Sequence, residues 1–152
     1  MTRAAPLLAL LVVGACAVGA CAPRLSPPYR DYEARAVGGA LAEALRAAVR
    51  ESGWEVVASR DPSVVTTAPR PVASGLTSRT EAALDLVPLD GGFVRVYVRA
   101  ERRSTLFGGR SKVYALDAGL RAAVLAPLTD ALCQRGLVPL GTPRDRDEDA
   151  TE

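Results

Sequence analysis

Two alternating stretches on either side of Asp90-Gly91-Gly92 restrict this 152-residue chain more than any other part of it. Ala82, Leu84 and Leu86 alternate with Glu81, Ala83 and Asp85. Beyond the glycines, Val94, Val96, Val98 and Ala100 alternate with Arg95, Tyr97, Arg99 and Glu101. A period of two belongs to strands with one face in a core and one in water, so the pair predicts an antiparallel hairpin. Its register follows from the loop. A two-residue loop, Asp90-Gly91, sets Leu86 opposite Arg95, whereas a three-residue loop sets Leu89 opposite Phe93, Leu86 opposite Val96, Leu84 opposite Val98 and Ala82 opposite Ala100. Because a slip of one residue turns every side chain to the wrong face, the longer loop is expected, at the cost of placing Glu81 opposite Glu101.

The rest of the chain is arranged around that hairpin. From Asp31 to Glu51, Tyr32, Ala36, Val37, Ala40, Leu41, Ala44, Leu45, Ala48 and Val49 fall on one helical stripe, and Gly53 ends it. Trp54 to Ser59 reads as a strand, Asp61-Pro62 as a turn, and Ser63 to Ala68 as a second strand stopped by Pro69 and Pro71. A loop runs through Ser74-Gly75. After the hairpin, Ser104 to Gly109 is a second loop, and Lys112 to Leu116 is a short strand. Asp117 then caps a helix from Ala118 to Arg135, with Leu120, Val124, Leu128, Ala131 and Leu132 on one face and Pro127 as a kink or break. The expected fold class is α+β: an antiparallel sheet of about four strands with two helices packed on one face. Residues 142–152 form a polar acidic tail expected to be disordered.

The N-terminus bears on location. Met1-Thr2-Arg3 is a short positive start, Ala4 to Val13 is uncharged and apolar, and small residues follow. This is the layout of a signal peptide and too short for a spanning helix, which needs about 20 apolar residues. Val13-Gly14-Ala15-Cys16 and Val18-Gly19-Ala20-Cys21 both resemble the bacterial lipobox, in which small residues enter a narrow peptidase site and the Cys thiol carries diacylglycerol. The resemblance implies residues 1–20 as signal peptide and lipidation of Cys21, with Cys16 the alternative. Residues 21–30, rich in proline, then form a tether and 31–141 the domain. An Ala after either Cys implies sorting to the outer membrane in Gram-negative lipoproteins. An ordinary secretory signal with incidental cysteines is the other reading. The third thiol, Cys133, has no exported partner thiol and is expected to fill core space.

The order of elements, carried by Ala40 to Val49, Gly53-Trp54, Val64-Val65-Thr66-Thr67 and Val94-Arg95-Val96-Tyr97-Val98, resembles the small helix-grip-like domains of envelope lipoproteins such as the BamC family. That resemblance implies a scaffold or accessory role in envelope assembly, with another envelope protein as partner and no catalytic site to carry over.

The sequence has no His, which removes His-based acid–base and nucleophile chemistry and the commonest metal ligand. No enzyme activity, metal or cofactor is expected. Of the net +2, Arg3 supplies +1 and residues 142–152, with two Arg and five acids, supply −3, leaving +4 for residues 4–141. That charge is too diffuse for a nucleic-acid partner. The densest basic set is Arg95, Arg99, Arg102, Arg103, Arg110 and Lys112, with Tyr97 between the first two. It suits an anionic lipid, an acidic glycan or an acidic partner surface, and it equally suits a solvated strand face. Phe107-Gly108-Gly109-Arg110 lacks a phosphate-loop framework and precedes a strand, so it is read as a plain loop. Asp145, Asp147, Glu148 and Asp149 are read as solvated tail in preference to a cation site.

Overall fold

The computed structural model describes residues 27–35, 37, 40–106 and 108–144. In chain order the elements are β1 (Tyr29–Ala34), α1 (Leu41–Glu51), β2 (Val56–Val57), β3 (Val65–Thr67), β4 (Arg70–Ser74), β5 (Ser78–Leu89), β6 (Phe93–Ser104), β7 (Arg110–Val113), α2 (Ala118–Cys133) and β8 (Leu137–Arg144).

The hairpin is the spine. β5 and β6 are twelve residues each and pair from Leu89–Phe93 to Ser78–Ser104, the register of the three-residue loop. Gly91 and Gly92 take φ of +78° and +80°, a left-handed pair that side-chain-bearing residues adopt only with strain. Each long strand is flanked by two short ones in succession. On the outer edge of β5, β3 covers Leu86 and Asp85, and β4 covers Ala82 to Arg79. Where one gives way to the other, the Thr67 hydroxyl accepts the Leu84 amide at 2.8 Å, a bond that replaces a missing rung of the ladder. On the outer edge of β6, β1 covers Phe93 to Tyr97 and β7 covers Ala100 to Arg103. β8 pairs with the far side of β1, and β2 with β3.

The expected sheet of about four strands is therefore wrong: the sheet is antiparallel with eight strands, in the order β2-β3-β5-β6-β1-β8 with β4 and β7 added on β5 and β6. Three strands account for most of the difference. β1 lies where a helix start was expected, because Tyr32 fits a helical stripe as well as it fits a strand, and only pairing with β6 and β8 decides. β4 lies where Pro69 and Pro71 were read as terminators. It is an edge strand that shifts register between Pro71 and Ala73, where a missing N–H is tolerated. β8 contains Pro139 and Pro143 and is also an edge strand. β1 and β8 also reach past the boundaries expected of the domain, into stretches read as tether and tail.

The inward face of the sheet carries Tyr32, Val65, Ala82, Leu84, Leu86, Val94, Val96, Val98 and Ala100. Against it pack Leu45, Ala48 and Val49 of α1, and Leu120, Val124, Leu125, Leu128, Ala131 and Leu132 of α2, all buried. The Tyr32 hydroxyl reaches Thr129 at 2.8 Å. Asp117 caps α2 by accepting the Leu120 amide at 2.8 Å. α2 continues through Pro127, which is exposed. The carbonyl four residues earlier, on exposed Ala123, loses its helical partner on the water side, where that loss is tolerated. Cys133 is exposed at the end of α2 and does not fill core space, because the buried stripe passes through its neighbour Leu132.

Candidate functional site

The alternation that buries Val94, Val96, Val98 and Ala100 turns Arg95, Tyr97, Arg99, Glu101 and Arg103 to the opposite face of the sheet, the one neither described helix covers. Along this face the cations fall into two zones.

Near the hairpin turn the charges are paired. Arg95 donates from Nε and Nη2 to the two Asp31 carboxylate oxygens at 2.7 and 2.9 Å, and its guanidinium lies 4.2 Å from the Tyr29 ring centroid. The hydrogen bonds to Asp31 raise the pKa of Arg95 further above its ordinary value. Tyr97 faces Tyr29, with ring centroids 6.0 Å apart. Arg99 donates to Asp85 at 3.0 Å. These contacts couple β1, β6 and β5 across the open face.

Toward the other end the balance changes. Register places Arg79 opposite Arg103, and Arg103 opposite Arg110, so three arginines stand in one row across β5, β6 and β7. With strands about 4.8 Å apart, the row spans about 10 Å. Like charges directly across a ladder destabilise it by a few tenths to about 1 kcal/mol per pair. Of the two acids in the adjacent row, Glu81 and Glu101, Glu81 lies 3.7 Å from Arg79 and 3.2 Å from Arg103. Arg110 makes no ion pair among the described residues. In the next row Glu101 stands between Glu81 and Lys112, which relieves the contact between the two glutamates that the hairpin register requires. A groove of about 480 Å³ opens here, lined by Arg99, Arg103, Arg110 and Lys112 with Glu81 and Glu101, over the small side chain of Ala83.

Arg102 belongs to the other phase of β6. It lines a separate cleft of about 340 Å³ with Val72, Asp117 and Leu120 at the start of α2. A third cleft, of about 630 Å³ at the tip of the sheet, brings Arg102 and Arg110 together with Thr77 and Leu106. The seven residues singled out in sequence thus divide. Arg95 and Tyr97 brace β1 against β6; Arg99, Arg103, Arg110 and Lys112 share one groove; Arg102 reaches the tip from the opposite side. Arg79 was missed, although the hairpin register places it opposite Arg103.

Cys16, Cys21 and the acidic run from Asp145 to Asp149 lie outside the described residues, as does Phe107. Among the described residues no group of three or more His, Cys, Asp or Glu is placed to hold a metal ion, and no helix is long and apolar enough to cross a membrane.

Fold and site together define a domain made mostly of strands, an eight-stranded antiparallel sheet with two helices on one side and a basic face that neither described helix covers. No model of a known protein family matches the chain, and no curated protein is significantly similar to it.

Proposed function

We propose that this chain is a lipid-anchored bacterial envelope lipoprotein, in the outer membrane and facing the periplasm, whose domain serves as a non-enzymatic accessory that binds another envelope protein. One observation carries the reading: a charged start, an apolar run and small residues lead in order to Cys21, and the sheet begins almost at once. The Pro28 carbonyl already accepts the Val98 amide at 2.8 Å. An acyl anchor on Cys21 holds such a domain against the bilayer, since two acyl chains suffice for stable attachment. Crosslinking and recovery of the lipidated protein from its own envelope is expected to yield a specific envelope protein; recovery of none contradicts the accessory role.

The arginine row supports a second reading, in which the face grips anionic groups of a lipid or glycan. Arg79 and Arg103 share the Glu81 carboxylate, and Arg110 stands beside them in the row, so donors are left for phosphate or carboxylate oxygens, which Arg engages in bidentate fashion. Titration of the detergent-held full-length protein with short-chain phosphatidylglycerol is expected to show binding about tenfold tighter than with short-chain phosphatidylcholine. The double variant Arg103→Glu/Arg110→Glu is expected to lose that preference. Equal affinity for the two lipids rejects this reading.

A further inference from the structure

Two loops meet at the end of the sheet away from the hairpin turn: Ser74 to Ser78 between β4 and β5, and Thr105 to Gly109 between β6 and β7. They are tied together, since the Thr105 amide donates to the Thr77 carbonyl at 2.9 Å and the Thr105 hydroxyl to the Leu76 carbonyl at 3.5 Å. Each loop is also closed on itself, by Gly75 N to Ser78 O at 2.8 Å and Ser104 N to Gly109 O at 2.9 Å. This bound tip displays Leu76 at 102% exposure and Leu106 at 67%, whereas the other exposed large hydrophobics among the described residues, Val57, Leu89 and Phe93, stand at 37%, 39% and 38%. Singly exposed leucines are ordinary, but two on adjoining, hydrogen-bonded loops are a shared feature. Behind them the charge is one-sided: residues 74–80 and 102–113 contain Arg79, Arg102, Arg103, Arg110 and Lys112 and no acid.

We propose that this tip enters the surface of the membrane that carries the anchor, with Leu76 and Leu106 at the level of the upper acyl chains and Arg102, Arg110 and Lys112 against anionic headgroups. The path of the chain selects a bilayer as the occupant. β1 runs antiparallel to β6 and begins opposite Tyr97, and Pro27 and Pro28 before it lie on the side of the tip, Pro28 opposite Val98 and Pro27 beside Arg99 and Arg103. Cys21 lies six residues before Pro27 and therefore within about 20 Å of it, about the length of β6 from Val98 to Ser104. The level of the tip is thus within the span allowed to an anchor at Cys21, and the same bilayer would meet two leucines and a ring of cations. Apolar side chains backed by Lys and Arg are the chemistry of an interfacial contact. The proposal rests on the lipoprotein reading and adds which end of the domain faces the lipid.

The test uses full-length protein reconstituted into vesicles one-third phosphatidylglycerol, with Leu76→Trp or Leu106→Trp and lipids brominated in the upper acyl chain. Native Trp54, 2% exposed in the core, is the internal control for an intact fold and should be unaffected by bromine. Tryptophan at either tip position is expected to be quenched about twofold or more by the bromines, and to lose most of that quenching in vesicles of phosphatidylcholine alone or with Arg102→Glu/Arg110→Glu/Lys112→Glu. Tip tryptophans that stay open to aqueous acrylamide and untouched by bromine overturn the proposal, and would turn attention to a protein partner at the tip. The N-terminal mass of the same preparation separates the two failures: absence of acyl mass defeats the anchor, whereas aqueous tryptophans defeat the tip with or without it.

Discussion

Arg70 does three things at once. Its Nη1 donates to the Gly53 carbonyl at 2.7 Å just past the end of α1, and its guanidinium lies 3.7 Å from the Trp54 ring centroid. It also places a cation at the C-terminal, negative end of the α1 dipole, while partial burial lowers its pKa from the ordinary value. Arg70→Ala is expected to cost about 1–2 kcal/mol in urea unfolding, and Arg70→Lys to recover less than half, because the planar stack on Trp54 is lost. Tyr32 is the corresponding buried case. Burial raises its pKa above 10.0, partly opposed by the hydrogen bond with Thr129. A raised folded-state value means the neutral phenol favours the fold fully below pH 10.0, and that contribution is lost as pH climbs through the higher folded value. Tyr32→Phe should therefore cost about 1 kcal/mol near neutrality and show a shallower loss of stability above pH 10 than the unaltered chain. Parallel slopes in alkaline urea titrations would refute the assignment.

At the level of elements, legibility in the sequence followed how local the deciding interaction is. The β5–β6 register was readable down to the residue, because side-chain alternation and loop length act within one hairpin. Gly91→Ala/Gly92→Ala forces two side chains into the left-handed pair at φ +78° and +80°, and is expected to lower stability by about 2–4 kcal/mol in equilibrium unfolding. α2 was equally readable through its Asp117 cap and apolar stripe. β1, β4 and β8 were not: β1 and β8 depend on partners distant in sequence, and β4 and β8 contain prolines that mean termination in isolation and edge position in context. β8 nonetheless closes the core: Leu137, at its start, is completely buried. Leu137→Ala is expected to cost about 2–4 kcal/mol, whereas Cys133→Ser, four residues earlier and exposed, should stay within about 0.5 kcal/mol. Comparable losses in thermal melts of the two variants would contradict this placement of β8.

Over the whole molecule, the sheet separates a packed side, held by two helices, from an open side that is neutralised near the hairpin turn and basic at the tip. Most of the basic set was legible as a list of residues, but its division was not. Asp31 comes to Arg95 from 64 residues away, and the row of Arg79, Arg103 and Arg110 exists only once β7 is laid beside β6. The tip is invisible to sequence patterning because nothing local brings Leu76 beside Leu106. The proposed anchor, the open face and the proposed tip contact describe one arrangement, a domain standing at a bilayer on the end of the sheet nearest Pro27. The most direct check is the intact mass of the mature chain purified from its native membrane. A chain that begins at Cys21 and carries diacylglycerol there agrees with this arrangement, and a mature chain with no acyl group on Cys21 or Cys16 contradicts it.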